Sequence, residues 1–201
     1  MKIHKIKVNT KTKKYSIIIG SNIIKNISKI LGSQKINFEK CLIVIDSNIP
    51  NKLSSNLKKN LKVKYKITHN FVANEKNKNF KSIEKIHDIL FKKGFNRGDC
   101  VISFGGGITG DVVGFAASTF KRGIKFINIP TTLLAQVDAS IGGKTGVNHK
   151  IYGKNLIGSF YQPKLVLIDT TFLKSLPRKE MICGYAEILK HAIIKDKNFF
   201  N

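Results

Sequence analysis

Cys100-Val101-Ile102-Ser103-Phe104-Gly105-Gly106-Gly107-Ile108-Thr109-Gly110-Asp111 is the stretch that decides the fold. An apolar run stops at three consecutive glycines, and a helix-like run starts at Gly110. Strand, glycine turn and helix start let backbone approach a ligand closely and aim free amide N–H groups at it, as pyrophosphate binding requires. The dinucleotide fingerprint G-x-G-x-x-G is nominally satisfied, but three adjacent glycines make a different turn. On these residues alone, a tight strand-to-helix turn that holds nothing is an equal reading.

Working outward, strand and helix signals alternate. Upstream, Ile3 to Val8 alternates and Tyr15 to Ile19 follows a polar turn at residues 9–14, which predicts a β-hairpin. Ser21 is placed to cap a helix carrying Ile23, Ile24, Ile27, Ile30 and Leu31 and closed by Gly32. Cys41 to Ile45 is continuously apolar, as a parallel strand covered on both faces should be. It ends at Asp46-Ser47-Asn48, where Asp46 is either a ligand contact or a cap for a helix over 51–60. Residues 62–68 suggest an edge strand, and 80–91 a helix ended by Gly94, with His87 as a surface or boundary histidine. Downstream come a helix over 111–119, strands over 124–129 and 165–169, and a helix from Arg178 to Ile194. The class is α/β, a Rossmann-like domain with a mostly parallel sheet.

Composition narrows the function. The chain has 201 residues with 42% hydrophobic content, long enough for a substantial core. No apolar run reaches the roughly 20 residues that span a bilayer, and the N-terminus lacks a signal-peptide core, so a soluble, cytoplasmic protein without a membrane partner is expected. The net charge is +24, yet of 36 basic residues only Arg97, Arg122 and Arg178 are arginine. The lysines are scattered among Asn and Ile, residues that share A/T-rich codons, rather than clustered on one element. A nucleic-acid binder would cluster them and use arginine for bidentate contacts, so no nucleic-acid partner is expected. The basic field should still draw in an anionic substrate. Cys41, Cys100 and Cys183 are widely spaced and predict reduced thiols, without a disulfide framework or a cysteine metal site.

Two further stretches carry chemistry. Pro130 to Gly146, read as a loop past a buried strand, is rich in Gly, Thr and Ser and holds Asp138 and Lys144 six residues apart. Hydroxyls and a lysine at a strand's carboxyl end suit phosphate or polyol recognition. Gly153 to Pro163 adds a second pair, Lys154-Asn155, able to ligate an anion.

Taken in order, Gly105-Gly106-Gly107-Ile108-Thr109-Gly110-Asp111, Phe120-Lys121-Arg122-Gly123, Pro130-Thr131-Thr132-Leu133-Leu134-Ala135-Gln136-Val137-Asp138, Gly142-Gly143-Lys144-Thr145, Gly153-Lys154-Asn155 and Gly184-Tyr185-Ala186-Glu187 resemble the 3-dehydroquinate synthase family of sugar phosphate cyclases. The resemblance runs from Asp46 to residue 201. It implies an NAD-binding α/β domain over 1–176 and, over 177–201, the first helix of a helical domain that continues beyond this chain. It also implies a site. Asp46 and Asn48 would contact the adenosine half of NAD, with Glu75 and Lys78 nearby. Gly106, Gly107 and Ile108 would hold the pyrophosphate, with Asp111 behind them. Thr131, Thr132 and Leu134 would line the nicotinamide-ribose side, and Lys154, Phe172, Ser175, Leu176 and Glu180 would complete the pocket. Asp138 and Lys144 would stand between cofactor and substrate. Asn155 and Lys190 would meet the substrate, and Arg122 would reach its phosphate across a homodimer interface. Glu187 would be one of three ligands to zinc or cobalt, the other two being histidines beyond residue 201.

Two details depart from the family pattern. The loop from Thr145 to Gly153 is one residue longer than usual, and Ser175 replaces a Thr while keeping the hydroxyl. His191 lies four residues from Glu187 on one helix face but matches no family ligand, and is read as a surface histidine.

The implied activity is NAD- and metal-dependent conversion of a small sugar acid phosphate, 3-deoxy-D-arabino-heptulosonate 7-phosphate, to 3-dehydroquinate and phosphate. Transient oxidation, phosphate elimination, reduction and aldol closure would follow one another, and the 201 residues alone would be inactive. Rival readings are another sugar phosphate cyclase, a metal-dependent dehydrogenase of the glycerol dehydrogenase type, and a bare NAD-binding module. The pairing of Gly142 to Thr145 with Gly153 to Asn155 argues against the dehydrogenase.

Overall fold

The computed structural model describes residues 3–10, 13–195 and 199. In chain order they form β1 (His4–Asn9), β2 (Lys14–Gly20), α1 (Ile27–Ser33), β3 (Lys40–Asp46), α2 (Asn51–Asn60), β4 (Tyr65–Phe71) and α3 (Phe80–Lys92). Then follow β5 (Cys100–Gly105), α4 (Gly107–Thr119), β6 (Lys125–Pro130), β7 (Lys144–His149), β8 (Gly153–Phe160), β9 (Leu165–Asp169) and α5 (Arg178–Lys195). The main sheet has seven strands in the order β1-β2-β9-β6-β5-β3-β4. β1 pairs antiparallel with β2, and the other neighbours run parallel. β7 and β8 form a separate antiparallel hairpin.

The central strands are mostly apolar because helices cover both faces, and their buried polar pair is satisfied internally, the Ser103 hydroxyl donating to the Asn128 side chain at 2.6 Å. On one face Cys41, Ile43, Ile102, Phe104, Ile127 and Leu165 pack with Ile24, Ile27 and Leu57 from α1, α2 and the turn before them. On the other, Leu42, Val44 and Val101 meet Ile86 and Leu90 of α3 and Val112, Val113 and Ala116 of α4. His87 sits at the edge of that layer, its Nε2 3.0 Å from the Ala116 carbonyl.

Strand order places the site. From β3 the chain moves outward to β4, then returns to β5 on the other side of β3 and proceeds the opposite way to β6. The crevice at the carboxyl ends of β3 and β5 is therefore a topological switch point, where open α/β sheets take ligands. Asp46 closes β3, Gly105 closes β5, and Gly106 alone joins it to Gly107, the first residue of α4. The two are adjacent: a Cβ on Gly105 would lie 3.0 Å from the Asp46 Cβ.

Several expectations need correction. Ser21 does not cap the first helix. Asn22 and Ile24 instead donate their amides to the buried Asp169 carboxylate at 2.8 and 3.0 Å, so the cap comes from the end of β9. A cap so distant in sequence is invisible to local patterns. That helix begins as a 3-10 turn, Ile23–Asn26, and runs past Gly32 to Ser33. Asp46 does not cap α2, whose N-cap is Pro50; it accepts from the Asn48 amide and side chain, both at 3.0 Å. The edge strand is displaced to 65–71, and α4 begins at Gly107, inside the glycine run. Pro130 to Gly146 is not a plain loop: it contains a single π-helical turn, Ala135–Ala139, and ends within β7. Residues 11 and 12 of the expected polar turn lie outside the described residues.

Asp169 ties four donors together, since Thr171 also gives it an amide (3.0 Å) and a hydroxyl (2.6 Å). Asp169→Ala leaves buried amides unpaired and is expected to cost about 2–4 kcal/mol. Urea unfolding checks this; a loss under about 1 kcal/mol would show that the cap carries little.

Candidate active site at the carboxyl edge of the sheet

The glycine turn is open because its neighbours require it. A Cβ on Gly106 would meet the Thr132 Cγ2 at 3.0 Å, so this cap position accepts no side chain without displacing Thr132. As at any α-helix start, the first amides of α4 lack intrahelical partners and point out of the turn. Thr131 is pinned beside them, its amide donating to the Gly105 carbonyl at 3.0 Å. Thr132 accepts from the Ala135 amide at 3.3 Å and so starts the next helical turn. Buried Gln136 anchors that turn by donating to the carbonyls of Pro130 and Asp169, both at 3.2 Å. Asp138, two residues further along, is exposed.

The hairpin of β7 and β8 lies across α4. Gly114 makes this possible: a Cβ there would fall 2.4 Å from the Thr145 Cγ2. A cleft of about 800 Å³ opens between hairpin, π-turn and helix, and Asp111, Asp138, Lys144, Asn155, Ser159 and Phe160 are among its lining residues. Ala139, also in its wall, is the side chain nearest to a Cβ placed on Gly107, at 3.3 Å. Ala139 thus stands between the glycine turn and the cleft that holds the Asp, Lys and Asn candidates.

Buried Lys78 joins these walls. Its ammonium pairs with the Asp111 carboxylate of α4 and donates to the Asn155 side chain of β8. Asn155 is held in the left-handed region at φ 59°, its amide donating to Asn148 at 3.0 Å. A non-glycine residue kept there needs such surrounding support. Burial pushes the Asp111 carboxyl above the usual carboxylate range; the Lys78 ammonium pulls it back, and Glu75 raises it. Asp46 is likewise raised by burial, with its Asn48 and Ala73 hydrogen bonds opposing.

Other candidates fall into three groups. Glu75 and Lys154 stand together at the rim: Asn148 donates to Glu75 at 2.7 Å, and Lys154 pairs with it at 3.7 Å while mostly exposed. Asn48 lies exposed beyond β3, and Leu134 is 37% exposed beside the π-turn. Phe172 is a core side chain packed edge-on against Phe104, with ring centroids 5.3 Å apart, so only its backbone can face a ligand. Ser175 turns its hydroxyl onto the Phe172 carbonyl at 3.1 Å, Leu176 is half-buried, and Glu180 is exposed in the first turn of α5. Arg122 is at the far end of α4, about 20 Å along the axis from Gly107, and exposed. With φ 63° it shares the left-handed region with Lys121. It does not join the cleft of its own chain.

α5 returns over the π-turn, with Gly184 seated on Leu133 where a Cβ would be 2.5 Å from that side chain. This puts Glu187, Lys190 and His191 beside Asp138. Glu187 lies 2.5 Å from Lys190 and 3.2 Å from the His191 Nε2. Ligand atoms of Asp138, Glu187 and His191 all lie within 4.8 Å of one another. His191, read from the sequence as a surface histidine four residues from Glu187, is exposed here and lies with Glu187 close to Asp138.

A second cavity, about 480 Å³, lies at the opposite, amino edge of the sheet among Lys14, Tyr15, Lys35, Lys125 and Lys164. It contains none of the candidate residues. No helix among the described residues is long and apolar enough to cross a membrane.

The family pattern described as 3-dehydroquinate synthase N-terminal matches residues 68–183. A 3-dehydroquinate synthase of Pelagibacter ubique (strain HTCC1062) is 63% identical over 200 residues, spanning all of this chain and 54% of that protein. Among solved structures, 2-deoxy-scyllo-inosose synthase complexed with carbaglucose-6-phosphate, NAD+ and Co2+ superimposes with a TM-score of 0.86 at 26% identity, over 95% of this chain and 52% of that one. The 2-epi-5-epi-valiolone synthase of Streptomyces hygroscopicus subsp. jinggangensis 5008, with NAD+ and Zn2+ bound, gives 0.83 at 31% identity, over 95% and 52%. The chain spans about half the length of the curated relatives it matches. With that family pattern matching more than half of its residues, the chain belongs to the 3-dehydroquinate synthase family.

Proposed function

We propose that this chain is the cofactor-binding half of a 3-dehydroquinate synthase, which converts 3-deoxy-D-arabino-heptulosonate 7-phosphate to 3-dehydroquinate and phosphate. The observation that carries the reading is the shared cleft: Asp111, Asp138, Lys144 and Asn155 line one cavity, walled by the same π-turn that abuts the glycine turn. Residues from 177 onward would belong to a second, helical domain, with α5, Arg178–Lys195, as its first helix. A cytoplasmic homodimer without nucleic-acid partners completes the proposal, and the partner gives Arg122, remote from its own cleft, a place to act.

The residues fit both absent groups. The cradle at Gly106, where a Cβ would crowd Thr132, suits a dinucleotide pyrophosphate; Asp46, Asn48, Glu75, Lys78, Thr131, Thr132, Leu134, Lys154, Phe172, Ser175, Leu176 and Glu180 are the residues that would contact the rest of the cofactor. The Glu187 carboxylate, grouped with a histidine nitrogen, suits zinc or cobalt. When bound, NAD supplies the hydride acceptor and donor and the metal polarises the oxygen that is oxidised.

The chain's own residues do the rest. The amides of Gly107 and Ile108 receive the pyrophosphate. Lys144 and Asn155 hold the substrate's anionic groups, including the departing phosphate, and Asp138 orients a ring hydroxyl. Lys78 neutralises Asp111 and fixes the Asn155 amide, so neither rearranges as the substrate enters. Lys190 supplies a further positive charge beside Glu187, whose hydrogen bond holds its ammonium above the ordinary lysine value.

In the full-length parent supplied with NAD and zinc, coupled release of phosphate and formation of dehydroquinate are expected. No product from the seven-carbon substrate would move the reading to another sugar phosphate cyclase. There Lys144→Ala should lower kcat/KM by about 30- to 150-fold, or about 2–3 kcal/mol; an unchanged value would remove Lys144 from the site. The 201-residue chain alone should bind NADH weakly by fluorescence titration without turning over substrate, and Gly106→Val should abolish that binding. Unaltered binding in Gly106→Val would relocate the cofactor.

A further inference from the structure

We propose that Gln162 is a positioning residue: it clamps the Gly142-Gly143 turn and through it sets where Lys144 stands in the cleft. The inference rests on the reading above only for what Lys144 meets; the clamp itself is read from the fold.

Residues 140–143 lead from the π-turn to β7, and Lys144 is the first residue of that strand. Gly142 and Gly143 both lie in the left-handed region, at φ 88° and 72°. Two adjacent glycines give the link wide backbone freedom, so Lys144 has no fixed place unless something outside the link holds it. Three contacts do. The Tyr161 amide donates to the Gly143 carbonyl at 2.7 Å and extends the hairpin ladder past the Lys144–Phe160 pair. The Tyr15 hydroxyl accepts from the Gly142 amide at a longer 3.4 Å. The Gln162 side chain supplies the third, its Nε2 donating to the Gly142 carbonyl at 2.9 Å.

Gln162 also packs on the turn. A Cβ on Gly143 would fall 2.6 Å from both the Cδ and the Nε2 of Gln162, so the carboxamide rests directly on that residue's backbone. Its Oε1 is buried and has no hydrogen-bond partner among the described residues. Buried acceptors left unpaired are few in native proteins and ask for a reason; here the other end of the same carboxamide is committed to the turn. The clamp bears on a rigid support. Gln162 sits on a segment tied to the start of β6 from both sides: the Tyr161 hydroxyl donates to the Ile124 carbonyl at 2.6 Å, and the Lys164 amide to the Phe126 carbonyl at 2.7 Å. Gln162 therefore refers the turn to the main sheet, not only to its own hairpin. Lys144 is exposed and lines the cleft with Asp138 and Asn155. A flexible side chain of that length binds an anion best when its backbone is held beforehand.

Two measurements test the clamp. In the ligand-free, 15N-labelled 201-residue chain, Gln162→Ala and the similarly sized Gln162→Glu, which lacks the donor, should lower the heteronuclear NOE at Gly142, Gly143 and Lys144 while Asn155 stays unchanged. Circular dichroism should show both variants folded. In the full-length parent with NAD and zinc, each should lower kcat/KM about tenfold, yet change it by less than about twofold once Lys144 is alanine. A residue with a merely structural role would cost as much in either background. An unchanged NOE at Gly142 to Lys144, or an undiminished loss in the Lys144→Ala background, would overturn the proposal. Absence of turnover in the full-length parent would instead remove the functional reading and leave the NOE result to decide the clamp.

Discussion

The missing side chain of Gly114 is the constraint on which the site depends. It lets Thr145 lie directly on α4, and through Thr145 the whole β7–β8 hairpin is seated against the helix that starts at the glycine turn. A sheet buried on both faces offers ligands only its strand ends. The hairpin extends that edge into a cleft, placing Lys144 and Asn155 where α4 opens. Even a methyl group at Gly114 would collide with the Thr145 side chain that seats the hairpin on the helix.

Electrostatics then distinguishes this edge from the rest of a strongly basic surface. Lysines occur almost everywhere on the chain, and the opposite edge of the sheet has a lysine-lined cavity of its own. At the candidate site the charges are paired and directed instead. Lys78 is buried against Asp111 and Asn155, and Lys190 rests on Glu187. Breaking a buried pair from one side leaves an uncompensated charge, so the Lys78 linkage is costly to lose and keeps the cofactor wall in register with the hairpin.

Much of this was legible in the sequence, for identifiable reasons. The continuous apolar runs at 41–45, 100–104 and 165–169 announced buried parallel strands, and α3 declared itself by its spacing and Gly94. Gly106, Asp138, Lys144 and Asn155 were marked by residue type and by a family resemblance. What stayed hidden was long-range. Asp169 caps a helix some 145 residues upstream. Gln136 turns an apparent loop into a π-turn by bonding two strand ends. His191 gains a second carboxylate only because α5 folds back over Asp138. Local periodicity contains none of these contacts.

The most direct measurement is an amide NMR titration of the 15N-labelled chain with NAD+ and, separately, with inorganic phosphate. NAD+ should shift Gly106, Gly107 and Ile108, phosphate should shift Lys144 and Asn155, and both should shift Ala139 between them. Phosphate shifts confined to Lys14, Lys35, Lys125 and Lys164, with the hairpin unmoved by either ligand, would contradict it.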